Sequence, residues 1–204
     1  MATPTYVINK VFYPTREFGG FGQLEGFIGL VAMQDKMYDS VPSQVIEPDQ
    51  DYVATIQTSK GDIVVELFDD DVPTNVNSFA FLAQDGWYDG LDFFFVDHEQ
   101  VALSGDPTNS GSALPYPGFT CGDETVPDIS FEEAGMLALY TRAPNRNSSS
   151  FFINYTPQPD FTGNFTVIGR IIEGMDVAES LTERTPGADQ PAPDSIETIV
   201  IEEE

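Results

Sequence analysis

The chain has 204 residues, 41% of them hydrophobic, and carries 34 Asp and Glu against 8 Lys and Arg for a formal net charge of −26. That is enough apolar material for one domain with a true core plus an extension. The charge excludes a nucleic-acid backbone and disfavours an anionic membrane surface as partners, and no stretch approaches the roughly 20 consecutive apolar residues that span a bilayer.

Residues 1–51 read as an N-terminal extension, or arm, ahead of a domain at 52–204. The opening Met1-Ala2-Thr3-Pro4-Thr5 has no basic stretch leading into an apolar one, so no signal peptide is visible. The location expected is extracellular if a leader was removed and cytoplasmic otherwise. Residues 6–13 alternate and read as a strand. Residues 18–31 hold five glycines among Phe18, Phe21, Leu24, Phe27, Ile28, Leu30 and Val31. This is too much glycine for a helix and too much apolar surface for a solvated linker, so the run should lie on its own domain or on another subunit. Residues 40–51, with Pro42, Pro48, Asp49 and Asp51, read as a connector.

From residue 52 the pattern becomes regular. Residues 53–58 and 62–68 alternate on either side of Ser59-Lys60-Gly61, which predicts a hairpin. Pro73 suits the first turn of a helix, with Asp70 and Asp71 at its positive end. Val76, Phe79, Ala80, Leu82 and Ala83 continue that helix at helical spacing until Gly86. Strands are expected at 93–96, 136–140, 151–154 and 166–172, a second short helix at 174–182, and a closing strand at 196–201. Many short strands with two helices imply a mainly β fold, a closed antiparallel barrel capped by the two helices.

Chemistry-bearing residues are few. One cysteine, Cys121, excludes an intrachain disulfide and thiolate metal sites, and it reads as a half-buried structural thiol; His98, the single histidine, reads as a loop residue. The runs Asp69-Asp70-Asp71 and Glu202-Glu203-Glu204 lack calcium-loop spacing, so no metal site and no cofactor are expected. The acidity stays open to three readings: a hydrated skin for a saline or harsh medium, carboxylates for Ca²⁺ or a basic partner outside the cell, or a bias of lineage. Glycosylation sequons begin at Asn147, Asn154 and Asn164.

Several phrases then fall in one order along about 150 residues. They include Thr58-Ser59-Lys60-Gly61-Asp62-Ile63, Pro73-Thr74-Asn75-Val76-Asn77-Ser78-Phe79, Gly86-Trp87-Tyr88-Asp89-Gly90, Gly105-Asp106-Pro107, Ser149-Ser150-Phe151-Phe152-Ile153 and Ile168-Gly169-Arg170-Ile171-Ile172-Glu173-Gly174. Together they resemble the cyclophilins, barrel enzymes that isomerise the peptide bond before proline. The resemblance implies a shallow groove with a hydrophobic proline pocket and an arginine that hydrogen-bonds the prolyl carbonyl. The barrier to be lowered is about 18–20 kcal/mol, set by amide resonance. A charge-assisted donor acts by favouring the twisted state over the planar one.

This chain departs from the family on that face. The family's Phe-His-Arg-Val strand reads Phe93-Phe94-Phe95-Val96, which puts Phe95 at the arginine position. A strand's alternation would set Phe93 and Phe95 on one side and Phe94 on the other. Phe-Met-x-Gln has become Gln100-Val101-Ala102-Leu103, and Met-Ala-Asn-Ala has become Leu139-Tyr140-Thr141-Arg142. Ser150 replaces a glutamine, and Phe161 and Phe165 stand in a loop that lacks the family's tryptophan and histidine. Phe152 remains as the pocket floor with Phe161 as a wall. The resemblance thus implies peptide-binding residues Phe95, Gln100, Val101, Leu103, Leu139, Tyr140, Ser150, Phe152, Phe161 and Phe165, and no catalytic one. Arg142 is open to two readings, a guanidinium reaching toward the old arginine site or, with Arg146, a partner for surface carboxylates.

The function expected is a cyclophilin-like module without the catalytic arginine, acting as a protein-binding or structural accessory subunit, self-assembling or part of a larger complex through residues 1–50. Its partner would be a protein or proline-containing peptide. The alternative is an isomerase of low or altered activity that assists folding.

Overall fold

The computed structural model describes residues 5–8, 11–14, 37–47, 50–107, 117–185 and 190–203. The glycine-rich run at 18–31 lies outside them. Strands β1 (Thr5–Ile8) and β2 (Val11–Pro14) pair with each other antiparallel, from Thr5 opposite Pro14 to Ile8 opposite Val11. The single strand read over 6–13 is therefore a hairpin. Alternation alone cannot separate the two, because one long strand and two paired halves share the same period.

The hairpin predicted after residue 52 forms as β3 (Tyr52–Thr58) and β4 (Gly61–Leu67), with Ala54, Ile56, Ile63 and Val65 fully buried and the residues between them half-exposed. Helix α1 (Pro73–Gln84) follows, then β5 (Phe95–Val96), β6 (Val101–Ser104), β7 (Met136–Leu139), β8 (Phe151–Asn154), a 3₁₀ turn at Pro159–Phe161, β9 (Val167–Glu173), α2 (Met175–Glu179) and β10 (Ile196–Glu203). No strand was expected at β6. Its four residues are all buried, so the alternation that reveals a half-buried strand is missing there.

These strands make one eight-stranded antiparallel sheet in the order β10-β3-β4-β9-β7-β8-β6-β5. Among the described residues the fold is mainly β with two α-helices, as expected. Between the outer strands there is no continuous ladder. The segment ahead of β5 meets the start of β10 through an Asp92–Ser195 bridge, with Phe93 N donating to Asp194 O at 2.9 Å and Ile196 N to Leu91 O at 2.8 Å.

Helix α1 covers the main core with Val76, Phe79, Ala80, Leu82 and Ala83. Pro73 occupies its first turn as predicted, but the cap comes from far along the chain. Val72 at the N-cap makes no side-chain bond; instead the Glu124 carboxylate accepts from Thr74 N (3.3 Å), Asn75 N (2.9 Å) and Asn75 Nδ2 (2.6 Å). A carboxylate at this end is favoured by the unpaired N–H groups and the helix dipole, whichever part of the sequence supplies it. Asp70 and Asp71 are exposed.

The stretch read as a connector is packed on this body. Ile46 is buried in the core, and the Asn77 side chain accepts from Val45 N at 2.7 Å. The Tyr38 ring meets Phe81 edge-on at 5.0 Å, its N–H donates to Pro117 O, and its hydroxyl bonds Asp85. Gly118 is required beneath it: φ is +96°, and a Cβ there would stand 2.3 Å from Tyr38 O.

Candidate functional site

The sheet has two packed faces. The inner one, closed by α1 and α2, holds the main core with Ile56, Ile63, Trp87, Leu137, Phe151 and Ile153. A second apolar cluster lies on the other face, and strand register explains it. Phe95 pairs with Leu103, Leu103 with Phe152, Phe152 with Ala138, and Ala138 with Val167. Residues directly opposite in adjacent strands point the same way, so these five form one row across β5, β6, β8, β7 and β9. Every side chain in it is a hydrocarbon.

Aromatic rings from two loops close over the row. Phe131 stacks on Phe152 with centroids 5.7 Å apart and planes 15° apart. Phe161 and Phe165 meet the Phe152 ring edge-on at 5.8 and 5.1 Å and each other at 5.4 Å. The Tyr140 ring lies alongside Phe165 at 6.4 Å. Phe152 is left only 2% exposed. What solvent meets is the half-buried layer of Phe94, Phe95, Tyr140, Phe161 and Phe165. A ligand would pack against this layer, with Phe152 supporting it from beneath.

The three consecutive phenylalanines divide differently from simple alternation. Phe93 is fully buried in the inner core together with Val96, while Phe94 and Phe95 face outward. Regular pairing in β5 begins only at Phe95, so the pleat that would have put Phe93 and Phe95 on one side does not extend back to Phe93.

Of the residues that the resemblance implied, Phe95, Val101, Leu103, Tyr140, Phe152, Phe161 and Phe165 come together in this cluster. Three do not. Gln100 is exposed in a turn, with Nε2 donating to Asp97 Oδ2 at 2.8 Å and its N–H to Asp97 O. Leu139 faces inward and belongs to the main core. Ser150 is buried, and its hydroxyl has no partner among the described residues. Phe131 and Phe94 were missed. Phe131 falls between the family-like phrases in a stretch without regular period, and alternation sets Phe94 on the side opposite Phe95, whereas both pack on the outer cluster.

At one edge of the layer stands Arg142, exposed, with Nε donating to the Tyr140 hydroxyl at 3.3 Å. Among the described residues neither Arg142 nor Arg146 is ion-paired; the pairs are Lys60–Asp194 at 3.7 Å and Arg170–Glu66 at 2.6 Å.

The sequons resolve by burial. Asn147 is 1% exposed and donates to Thr166 Oγ1 at 2.9 Å, and Asn154 is fully buried and donates to Glu133 O and Thr156 O. Asn164 is exposed. Burial pushes the Cys121 thiol up from its ordinary range, so it stays protonated inside the fold. His98 Nε2 lies 2.9 Å from Leu181 O, with its ring edge-on to Tyr155. Among the described residues no group of three His, Cys, Asp or Glu is placed to hold a metal ion, and no helix is long and apolar enough to cross a membrane.

Comparison with known proteins agrees with this geometry. The sequence model described as cyclophilin type peptidyl-prolyl cis-trans isomerase/CLD matches residues 53–202. A peptidyl-prolyl cis-trans isomerase of Schizosaccharomyces pombe is 36% identical over 138 residues, 67% of this chain and 89% of that protein. The peptidyl-prolyl cis-trans isomerase-like 1 of Mus musculus is 32% identical over 158 residues, 76% and 93% of the two chains. A crystal structure of a Cryptosporidium parvum cyclophilin type peptidyl-prolyl cis-trans isomerase superposes with a TM-score of 0.68 at 26% identity, covering 74% of this chain and 98% of that one. The same protein has been crystallised in the presence of the dipeptide Ala-Pro, and that structure gives a TM-score of 0.66 at 27% identity. This chain belongs to the cyclophilin-type peptidyl-prolyl cis-trans isomerase family.

Proposed function

We propose that this chain is a binding module on the cyclophilin scaffold, taking proline-containing segments of a partner protein across its outer aromatic layer without appreciable isomerase activity. The observation that carries this reading is the row Phe95–Leu103–Phe152. Phe95 stands at the position where the family resemblance places an arginine, beside Leu103, where it places a glutamine. A proline ring can lie against Phe95, Phe161 and Phe165, as aromatic surfaces suit apolar rings. No N–H or O–H in the row can draw the prolyl nitrogen's lone pair out of resonance, and removing such a donor costs about two to three decades in rate. The Ala-Pro dipeptide used with the Cryptosporidium protein names the ligand class by analogy.

In this reading the sheet closes as a barrel where Asp92 meets Ser195, which holds β5 and its Phe95 against β6. The β1–β2 hairpin, paired with itself apart from the eight-stranded sheet, is the contact by which residues 1–50 join a second copy or a larger complex.

The test is cis/trans exchange of a short Ala-Pro peptide, followed by NMR exchange spectroscopy, on the unaltered protein and on Phe95→Arg and Phe95→Arg/Leu103→Gln variants. Phe95 is half-exposed, so an arginine can leave its guanidinium at the surface. The expected result is line broadening from binding without exchange in the unaltered protein, and exchange gained in the double variant. Exchange at ordinary cyclophilin rates in the unaltered protein would overturn the reading in favour of an isomerase. That second reading draws on the same aromatic layer, because transfer of a prolyl bond from water to an apolar surface itself speeds amide rotation.

A further inference from the structure

Among the described cations, Arg142 stands out by its surroundings. Lys60 and Arg170 are paired with carboxylates, and Arg184 donates to Pro191 O. Arg142 instead rests its Nε on a neutral hydroxyl, that of Tyr140, and its two terminal nitrogens have no partner among the described residues. This is unusual in a chain of net charge −26. The loop that carries it is ordered by its own bonds: Thr141 Oγ1 donates to Ala143 O at 2.8 Å and to Arg146 O at 3.3 Å. Asp123, whose loop lies against this turn, uses its carboxylate on Asn145 N at 2.8 Å. The turn therefore presents two cations, Arg142 and Arg146, with no carboxylate paired to either among the described residues.

Tyr140 links this cationic turn to the aromatic layer. Its ring lies along Phe165, which meets Phe152 edge-on, and its hydroxyl holds Arg142 at the border of the apolar surface. A planar guanidinium braced through Nε keeps its two terminal NH₂ groups in the fork that accepts both oxygens of a carboxylate. We propose that Arg142, positioned by Tyr140, is a specificity-determining residue that selects proline segments carrying an Asp or Glu side chain within two residues of the proline. The inference rests on the peptide-binding reading above and names its substrate class. The protein's overall field opposes an acidic peptide at long range. At physiological salt that field is screened beyond about 8 Å, whereas a contact pair is screened less.

The experiment uses blocked hexapeptides with one proline and a single glutamate, glutamine or lysine stepped from two residues before the proline to two after it. Binding to the full chain is followed by NMR through the ring signals of Phe95, Phe161 and Phe165. At one position glutamate is expected to bind roughly two- to fivefold more tightly than glutamine, the range of an exposed ion pair, and lysine more weakly than either. Arg142→Ala should abolish that preference, weakening the glutamate peptide more than the glutamine one until the two bind alike. Tyr140→Phe should reduce the preference in part, and Arg142→Lys should retain some of it. Glutamine peptides that bind with no gain from glutamate at any position, or a gain that survives Arg142→Ala, would overturn this proposal alone. If no proline peptide shifts the three phenylalanines, the peptide-binding reading falls and this one with it.

Discussion

The two faces of the sheet are built from the same strands yet packed to different ends. In β8, Phe151 points inward and is fully buried between Phe79 and Tyr88, with edge-on contacts at 5.9 and 5.6 Å, while Phe152 points outward into the second cluster. The inner face is sealed by helices that lie across it. Among the described residues the outer face is covered by side chains from loops and no helix, and five of its aromatic residues remain half-exposed. Burial on the inner face serves stability. The outer face retains apolar surface beyond what packing needs, the kind of surface that the proposed binding of proline segments would use.

The largest effect that could break this contrast is on the inner side. Phe151→Ala removes a ring with no route for solvent to fill the space, so the loss should be about 3–5 kcal/mol, measured as the change in free energy from urea unfolding. A loss of 1 kcal/mol or less would mean that the inner face is no better packed than the outer.

Glu124 joins the two regions, and its removal comes next in size. Its carboxylate caps α1 from outside the helix, while its N–H donates to Thr166 Oγ1, next in sequence to Phe165. Glu124→Ala leaves two helical N–H groups and the buried Asn75 amide without their charged acceptor. Losing a cap of this kind costs about 2 kcal/mol. Amide hydrogen exchange should quicken first at Thr74 and Asn75; an effect confined to residues 123–126 would show that the cap is incidental.

A smaller loss is expected at the outer layer. Phe161→Ala gives up three edge-on ring contacts, but the side chain is already partly exposed, so about 1 kcal/mol is expected. Proline-peptide affinity should fall in the same variant by far more than stability does. Equal losses in both would place Phe161 on the packing side of the comparison.

How far the sequence carried this picture depends on which signal each region emits. The β3–β4 hairpin and α1 were legible because a half-buried strand repeats every two residues and a one-sided helix every 3.6. At β6 all four side chains are buried, and at 93–96 regular pairing begins only at Phe95, so periodicity was silent or misleading in both. Motif phrases located the outer cluster through Phe95, Leu103 and Phe152. They could not reveal Phe131, which reaches the cluster from a loop, nor Glu124, which caps a helix that began 51 residues earlier. Gln100 and Leu139 were drawn into the expected groove by adjacency in sequence, although one turns to Asp97 and the other to the inner core. Contacts between distant segments leave no local trace, and such contacts build the outer cluster.

The smallest effect tests the seam between the segment ahead of β5 and the start of β10. Burial pulls the Asp194 carboxyl upward, but bonds from Thr182 N at 2.6 Å and the Ser59 hydroxyl at 3.3 Å, with Lys60 at 3.7 Å, outweigh it and hold the group below the usual aspartate range. In the folded state the ionised form is therefore favoured relative to the unfolded chain, whose aspartates titrate near pH 3.9. Asp194 accordingly contributes its full stabilisation above about pH 4, and that contribution disappears as pH falls through the lower folded value. The whole protein need not follow the same trend. Asp69 is raised, mainly by burial with Asp70 and Asp51 adding repulsion, and mild acid also relieves the −26 charge. The informative quantity is the difference in Tm between the unaltered protein and Asp194→Asn, whose amide oxygen can still accept from Thr182. That difference should be steady from pH 7 to about pH 5 and shrink below pH 4. A difference that persists to the acid limit would mean that Asp194 holds the seam by shape and not by charge, leaving the inner face closed by packing alone.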